Sequence, residues 1–396
     1  MEMAELRALL TPVGLRLLDE AGEVATTADA AAAVGRLRAA GHPPELVAAV
    51  VTQARLRTRG RAKFGDFARG MLFTRAGLEQ ATRLGVAAGH AGRFRGAGIS
   101  RVADLGCGIG GDAIGLAALG IEVTAVEADE VTAAVAAYNL APFGADARVV
   151  HARAEETSLE GIEAVWLDPA RRSAGHEETT RLRAADYTPP LDWAFALAAR
   201  IPAGIKLGPA FDREEIPADA EAQWISVDGS TVELVLWTGA LARPGVRRAA
   251  LVMRGDDAHE LTSAADAEDA PVRELGAFVH EPEGAVIRAR LIGEVARALD
   301  AGMLDPRIAY LTSDAAVTSP FVRSFRIREE LPFDAKKLAR ALRERGIGRL
   351  EIKKRGVDLD PATLRTRLKL SGDGEATLLL TRTGGRRRAL LADRVA

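Results

Sequence analysis

Leucines three or four residues apart open the chain: Leu6, Leu9 and Leu10, then Val13 and Leu17. That spacing is the period of one helix face, and Ala-rich stretches continue it, so residues 1–92 read as wholly helical. The break Gly41-His42-Pro43-Pro44 precedes a helix whose later part runs QARLRTRGRAKFG. Arg55, Arg57, Arg59, Arg61 and Lys63 alternate there and, on a helix, spread around the surface instead of forming one stripe. FTRAGLEQATRLGVAAGHAGRF then leads towards the next domain.

From residue 99 the pattern changes to short apolar runs. ISRVADLG, IEVTAVEAD, ARVVHA, IEAVWLD and GIKLGP read as five strands, with helices GGDAIGLAALG, EVTAAVAAYNL and one after Pro189-Pro190 among them. Strands buried on both faces and separated by helices predict a parallel sheet covered on both sides. AQWISVD and TVELVLWTG flank Gly229-Ser230, which predicts a hairpin with a type II′ turn, glycine first. The expected class is thus α/β, with parallel strands closed by an antiparallel hairpin.

Over 241–320, ALVMRG and GAFVHEP read as strands, SAADAEDAP as an acidic loop, and AVIRARLIGEVARALDAG as one amphipathic helix. Residues 321–396 alternate: strand SFRIREEL, helix DAKKLARALRERG, strand RLEIKK, helix PATLRTRLKL, then strands EATLLLTR and RRRALLAD around Gly384-Gly385. Four domains are expected: a helical one over 1–92, the sheet domain over 93–240, a small α+β connector over 241–320, and a basic α+β domain over 321–396.

Composition narrows the classes. With 396 residues, 48% hydrophobic and 27% charged, the chain has material for two or three globular domains and not for a disordered one. No run of about 18 apolar residues offers a membrane span. Met1 to Glu20 carries Glu2, Glu5, Arg7 and Arg16 with no apolar block, so no secretory signal is expected and the location read is cytoplasmic. The single cysteine, Cys107, excludes an internal disulfide, and six scattered histidines give no metal motif. The net charge of −2 conceals a basic end: residues 321–396 hold 20 Lys/Arg against 10 Asp/Glu. An arginine-rich chain can reflect base composition alone, but five of the seven lysines (Lys336, Lys337, Lys353, Lys354, Lys369) also fall there. A polyanion is the expected partner of that end.

The chemistry concentrates in DLGCGIGGDA, Asp104 to Ala113. Gly106 and Gly108 let the backbone turn at a strand end and approach a ligand without a side chain in the way. The next strand ends in Glu127, an acidic residue able to accept both hydroxyls of a ribose. Gly106, Gly108 and Gly111 also satisfy GxGxxG, which keeps a nicotinamide dinucleotide in view. Against it, Asp104 would repel a pyrophosphate but suit a cationic amino group, the sheet ends in a hairpin, and the fourth strand ends in LDPARR. An adenosine carrying an amino acid and a sulfonium fits these three features better.

In FTRAGLEQATR, DLGCGIGGDA, VEAD, LDPARR, IKLGP and LPFDAKKLARALRERGIGRLEIKKRG the sequence resembles class I S-adenosylmethionine-dependent methyltransferases, specifically the bacterial group with a C-terminal THUMP-like domain. The resemblance implies a Rossmann-like sheet and S-adenosyl-L-methionine as cofactor. It also implies that Asp104 with the loop Gly106, Cys107, Gly108, Gly110, Gly111 and Asp112 holds the methionine end. Glu127 would bind the ribose, Ala128 and Asp129 would flank the adenine, and a backbone contact from Ala154 would stand in for an acidic residue where this chain has Arg153. LDPARR is similar to the Asp/Asn-Pro-Pro-aromatic motif of enzymes that methylate amino nitrogens. There the Asp168 side chain and the Pro169 carbonyl would accept hydrogen bonds from the target amine, a positioning effect. Arg171 replaces the aromatic and can stack on a base, with Arg172 beside it.

The same arginine occurs in enzymes that methylate uridine C5, but these need a nucleophilic cysteine, and Cys107 lies inside the cofactor loop as a small packing residue. The expected activity is therefore methylation of a base amino nitrogen in RNA. A protein or small-molecule acceptor, or RNA binding without turnover, remains open. Phe73, Thr74 and Gln80 are candidates for the substrate entrance, with ordinary helix packing as the other reading of their segment. Lys353, Lys354 and Arg355 are candidate contacts in the basic end.

Overall fold

In a computed structural model, which describes residues 1–171 and 187–395, six helices precede the first strand. They are α1 (Met3–Leu9), α2 (Pro12–Ala21), α3 (Thr27–Ala39), α4 (Pro44–Phe64), α5 (Arg75–Gln80) and α6 (Leu84–Gly96). Side-chain caps set the starts: Thr11, Thr26 and Thr74 accept from the amides of Gly14, Asp29 and Gly77. Two buried amides then clamp the extended segment after α4. Gln53 bonds both backbone groups of Phe73 (2.7 and 3.0 Å), and Asn139 bonds both of Leu72 (2.7 and 3.0 Å).

The chain divides into two compact units, Met1–Leu207 with Leu236–Ala242, and Gly208–Val235 with Arg243–Ala396. The first carries, after the helices, β1 (Arg101–Leu105), α7 (Gly111–Ala118), β2 (Glu122–Glu127), α8 (Glu130–Leu140), β3 (Ala147–His151) and β4 (Ala164–Leu167). A two-residue antiparallel ladder, β5 (Ala170–Arg171) with β6 (Tyr187–Thr188), is followed by α9 (Leu191–Ala198) and β7 (Ala203–Leu207). The long strands are parallel in the order β3-β2-β1-β4-β7. All four residues of β4 and the last four of β1 are buried, as a sheet covered on both sides requires.

Gly204 shows how tightly that sheet is packed. A Cβ there would lie 2.7 Å from both the Trp166 and Trp237 rings. Gly204→Ala is therefore expected to destabilise this unit by about 1–3 kcal/mol, seen as a lower melting temperature.

The second unit opens with β8 (Glu221–Val227) and β9 (Ser230–Trp237), whose last two residues count with the first unit. The turn between them is Asp228-Gly229, one residue earlier than expected. Both carry positive φ (50° and 85°), the signature of type I′ and not type II′. Asp tolerates the left-handed region, and Asp-Gly matches the twist of the flanking strands. β10 (Arg248–Arg254) adds parallel to β8, and β11 (Asp257–Ser263), which the sequence pattern does not predict, pairs antiparallel with β10.

The remainder builds a seven-stranded sheet from β12 (Phe278–Pro282), β13 (Gly302–Asp305), β14 (Ile308–Ser313), β15 (Val322–Leu331), β16 (Ile347–Lys354), β17 (Gly374–Thr383) and β18 (Arg386–Arg394). The expected single helix over 285–302 is two, α10 (Gly284–Arg288) and α11 (Ile292–Ala298), broken where Arg290 adopts φ 59°. The break lets the consecutive residues Leu291 and Ile292 bury together with Val286 and Val295. Over β16 to β18 lie α12 (Ala335–Glu344) and α13 (Pro361–Leu368), burying Leu338, Leu342, Leu364 and Leu368 against Leu350 and Leu378. Among the described residues no helix is long and apolar enough to cross a membrane.

Candidate active site

The chain runs from β1 to β2 on one side and later returns to β4 on the other, so the sheet has its switch point between β1 and β4. Open α/β sheets bind ligands at the carboxyl edge there. Four strands of the first unit end at that edge in polar residues: Asp104 near the end of β1, Glu127 on β2, Asp168 after β4 and Lys206 on β7. Register and alternation explain their shared face. Asp104 lies opposite Trp166, which lies opposite Gly204, so Asp168 and Lys206, each two residues on, project to the same side.

The loop after β1 is built to approach a ligand. Gly106, Gly108 and Gly110 carry positive φ (94°, 57° and 90°). The amides of Gly106 and Cys107 both donate to the Val126 carbonyl (2.9 and 3.0 Å), which folds the loop over the end of β2. A Cβ on Gly106 would stand 3.3 Å from the Asp168 carbonyl, so the loop and the end of β4 meet backbone to backbone. Gly110 caps α7, whose first residues are Gly111 and Asp112. Glu127 is oriented by two amides, Gly108 on one oxygen (3.0 Å) and Asp129 on the other (2.9 Å). Each oxygen keeps lone-pair capacity for a hydroxyl. Cys107 is buried, and burial pushes its thiol well above the ordinary value, so it is a neutral packing group.

Asp104 is the most unusual group. It is 1% exposed, and among the described residues neither carboxylate oxygen has a hydrogen-bond partner. Burial, then the nearby Asp112 and Asp168, push its carboxyl well above the usual range. A buried, unsatisfied carboxylate beside a glycine loop suits a small cation. Asp112 differs because its charge is compensated. Burial opposes ionisation, but His90 (Nδ1, 2.8 Å), Lys206 and the Thr82 hydroxyl (2.7 Å) hold it below the usual carboxylate range. Lys206 Nζ lies 2.5 Å from Asp168 Oδ2, 3.9 Å from Asp112, and donates to Thr82 Oγ1 at 2.9 Å. His90 packs on Trp166 with ring centroids 4.4 Å apart and the rings tilted by 32°.

The other sequence candidates distribute unevenly. Asp168 is partly exposed, and Pro169 is buried beside it. Arg171 is described only as backbone of β5, and Arg172 lies outside the described residues. Ala128 is exposed, and Asp129 caps α8 through Thr132, whose bonds hold its carboxyl below the usual range. Ala154 opens a short 3-10 turn, and Arg153 pairs with Glu155. Phe73 is fully buried, its ring on Gly60 and Phe64, and so belongs to the helical core. Thr74 caps α5, Gly77 presses on Ile109 of the glycine loop, and Gln80 is exposed.

In the second unit Lys353 is committed to Glu281 (2.5 Å), Arg355 lies over the Tyr310 ring, and Lys354 is exposed. Lys206, His90 and Thr82 are the residues that motif reading missed. A lysine between buried Ile205 and Leu207 carries its own signal, since an ammonium inside a strand needs a partner.

Comparison with known proteins follows the same lines. Residues 322–394 match the family described as THUMP domain-like, and residues 2–60 match a domain of unknown function. Two curated relatives from Mycobacterium tuberculosis (strains CDC 1551 / Oshkosh and ATCC 25618 / H37Rv) are uncharacterized S-adenosylmethionine-dependent methyltransferases. Each is 33% identical over 338 residues, covering 83% of this chain and 91% of the relative. A crystal structure from Porphyromonas gingivalis W83, provisionally described as a methyltransferase, shares the fold with TM-score 0.70 and 24% identity, covering 90% of this chain and 92% of that one.

Proposed function

This chain belongs to the S-adenosylmethionine-dependent methyltransferases, and from that premise we propose that it methylates RNA at a base amino nitrogen. The observation that carries the reading is the close approach of Gly106 to the Asp168 carbonyl, which brings Asp168 and Pro169 beside the glycine loop. S-adenosylmethionine, when bound, supplies an electrophilic methyl on a sulfonium. The residues present fit it: the Asp104 carboxylate, without a hydrogen-bond partner among the described residues, suits its ammonium, and the amide-anchored Glu127 suits its ribose hydroxyls.

Asp168 and the Pro169 carbonyl then accept hydrogen bonds from the target amine, which directs the nitrogen lone pair towards the methyl carbon. The cationic nitrogen formed on transfer sheds one proton to water to restore neutrality, and the Asp168 carboxylate that accepts its hydrogen bond would guide it. Arg171, with Arg172, is assigned to the base. The neutral, buried Cys107 is no nucleophile, which disfavours carbon methylation through an enzyme thiol.

Support for RNA comes from the THUMP-like match and from the adjoining helices α12 and α13. Their exposed cations are Lys336, Lys337, Arg340 and Arg343 on one, and Arg365, Arg367 and the following Lys369 on the other. Exposed cations of this kind grip phosphates without reading sequence. Other cations of this region are spent internally, Arg345 after α12 on Glu329 and Arg394 of β18 on Glu351, which keeps a protein or small-molecule acceptor as the second reading.

The test is transfer of labelled methyl to total RNA from a strain lacking this protein. Label is expected in that RNA, weakened by salt and by replacing Lys336, Lys337, Arg365 and Arg367 with Glu. Transfer indifferent to RNase and to salt would move the acceptor to a protein or small molecule.

A further inference from the structure

We propose that Lys206 is a positioning residue of the methyl-transfer site, acting through Asp168; the proposal rests on Asp168 as the group that orients the acceptor. Its strand neighbours Ile205 and Leu207 are buried, and an ammonium among them is costly unless paired. The pairing is specific and comes from three directions. Asp168 Oδ2 meets Nζ at 2.5 Å from the end of β4, Thr82 Oγ1 at 2.9 Å from the segment before α6, and Asp112 at 3.9 Å from α7. Asp112 is fixed in turn by His90 and Thr82, and His90 packs against the Trp166 ring. Lys63, whose Nζ donates to the Glu79 and Ala81 carbonyls, and Asp104 also face this cluster.

The chain of contacts has a consequence for chemistry. Asp168 is a third exposed, at the mouth of the site, where an unheld carboxylate would sample several rotamers. Lys206 holds one of its oxygens inward, which fixes the direction in which the carboxylate meets an incoming amine. A misplacement of about 1 Å in such a group costs on the order of a hundredfold in rate. A lysine with only a folding role would instead show its effect in stability and cofactor binding.

The experiment compares Lys206→Met, Lys206→Arg, Asp168→Asn and the double variant Lys206→Met/Asp168→Asn with wild type. Labelled methyl transfer is measured at saturating S-adenosylmethionine, with the soluble lysate of a strain lacking this protein as acceptor pool. S-adenosylhomocysteine affinity and melting temperature are measured beside it. Lys206→Met is expected to lose about 10- to 100-fold in kcat with S-adenosylhomocysteine affinity within about threefold of wild type. Lys206→Arg is expected to recover most of the rate, and the double variant to be little worse than Asp168→Asn alone.

A Lys206→Met rate within about twofold of wild type overturns the proposal. So does a rate loss matched by equal losses in affinity and stability, or full additivity with Asp168→Asn. An RNase-treated lysate separates the two readings: transfer that survives RNase refutes the RNA acceptor while the Lys206 comparison still stands.

Discussion

Asp168→Ala is expected to abolish methyl transfer, lowering kcat by roughly 100-fold or more, while S-adenosylhomocysteine still binds within about threefold of wild type. The expectation follows from where Asp168 stands. Its backbone carbonyl lies close to Gly106, and its side chain is paired with Lys206 at the mouth of the site, near enough to Asp104 to repel it, while Glu127 is anchored by amides of its own. Removing the carboxylate leaves the loop, Glu127 and Asp104 in place, so binding and chemistry separate. Calorimetry with S-adenosylhomocysteine and a labelled-methyl assay on the same preparation measure both. Equal loss of binding and rate would reassign Asp168 to the cofactor, and an active variant would remove it from the mechanism.

A second large effect is expected at Asp104, in affinity and in pH dependence. Without a cation this carboxyl is held well above its ordinary value by burial, then by Asp112 and Asp168. Glu127 adds to the repulsion and Lys206 opposes it. A cofactor ammonium bound there favours the ionised form, so binding releases a proton. Affinity for S-adenosylhomocysteine therefore weakens as pH falls below the carboxyl's raised value, by up to about tenfold per pH unit, and is flat above it. The folded protein alone behaves oppositely. A carboxyl raised in the folded state contributes stability that is complete below its unfolded value and lost as pH rises through its folded one.

Asp104→Asn is expected to remove both trends. It should raise the melting temperature of the ligand-free protein at alkaline pH while costing about 2–5 kcal/mol of S-adenosylhomocysteine binding, roughly 30-fold or more. Calorimetric titrations across pH, repeated on the variant, measure this. An unchanged affinity in Asp104→Asn, or an affinity that rises as pH falls, would show that the ammonium binds elsewhere.

Much of the first unit is legible in the sequence because its signals are local. The glycine loop has to turn at a strand end, so Gly106, Gly108 and Gly110 announce it, and each does carry positive φ. The strands before it and after it are short apolar runs, and helix α8 begins and ends where its pattern does. Features set at longer range are less legible. The hairpin turn lies one residue earlier than its glycine suggests, because Asp228 can take a left-handed conformation that Gly229 alone does not reveal. The helix expected over 285–302 breaks at Arg290 because burial of Leu291 and Ile292 overrides a periodic pattern. Strands β11, β13 and β14 have no counterpart in the pattern, and the largely exposed β11 has little apolar signal of its own.

The candidate site divides along the same line. Asp104, Glu127 and Asp168 can be named from the sequence because each ends an apolar strand, where a charge is conspicuous. Phe73 cannot be placed that way, because its burial depends on Gly60 and on the Gln53 amide, twenty residues before it in the chain. Nor can the basic end be weighed by counting, since Lys353 finds Glu281 across the sheet and Arg394 finds Glu351.

By itself the sequence determined the order of most strands and helices, the glycine loop and the acidic strand ends, because alternation, helical period and backbone freedom act over a few neighbouring residues. Only the tertiary structure decided that Asp104 has no hydrogen-bond partner among the described residues while Asp112 has three groups compensating it, and that Lys206 from β7 meets Asp168 from β4 with His90 and Thr82 behind them. Those facts depend on which strands lie side by side and on how much water each carboxylate retains. Both are set by packing between residues far apart in the chain, where no local pattern records them.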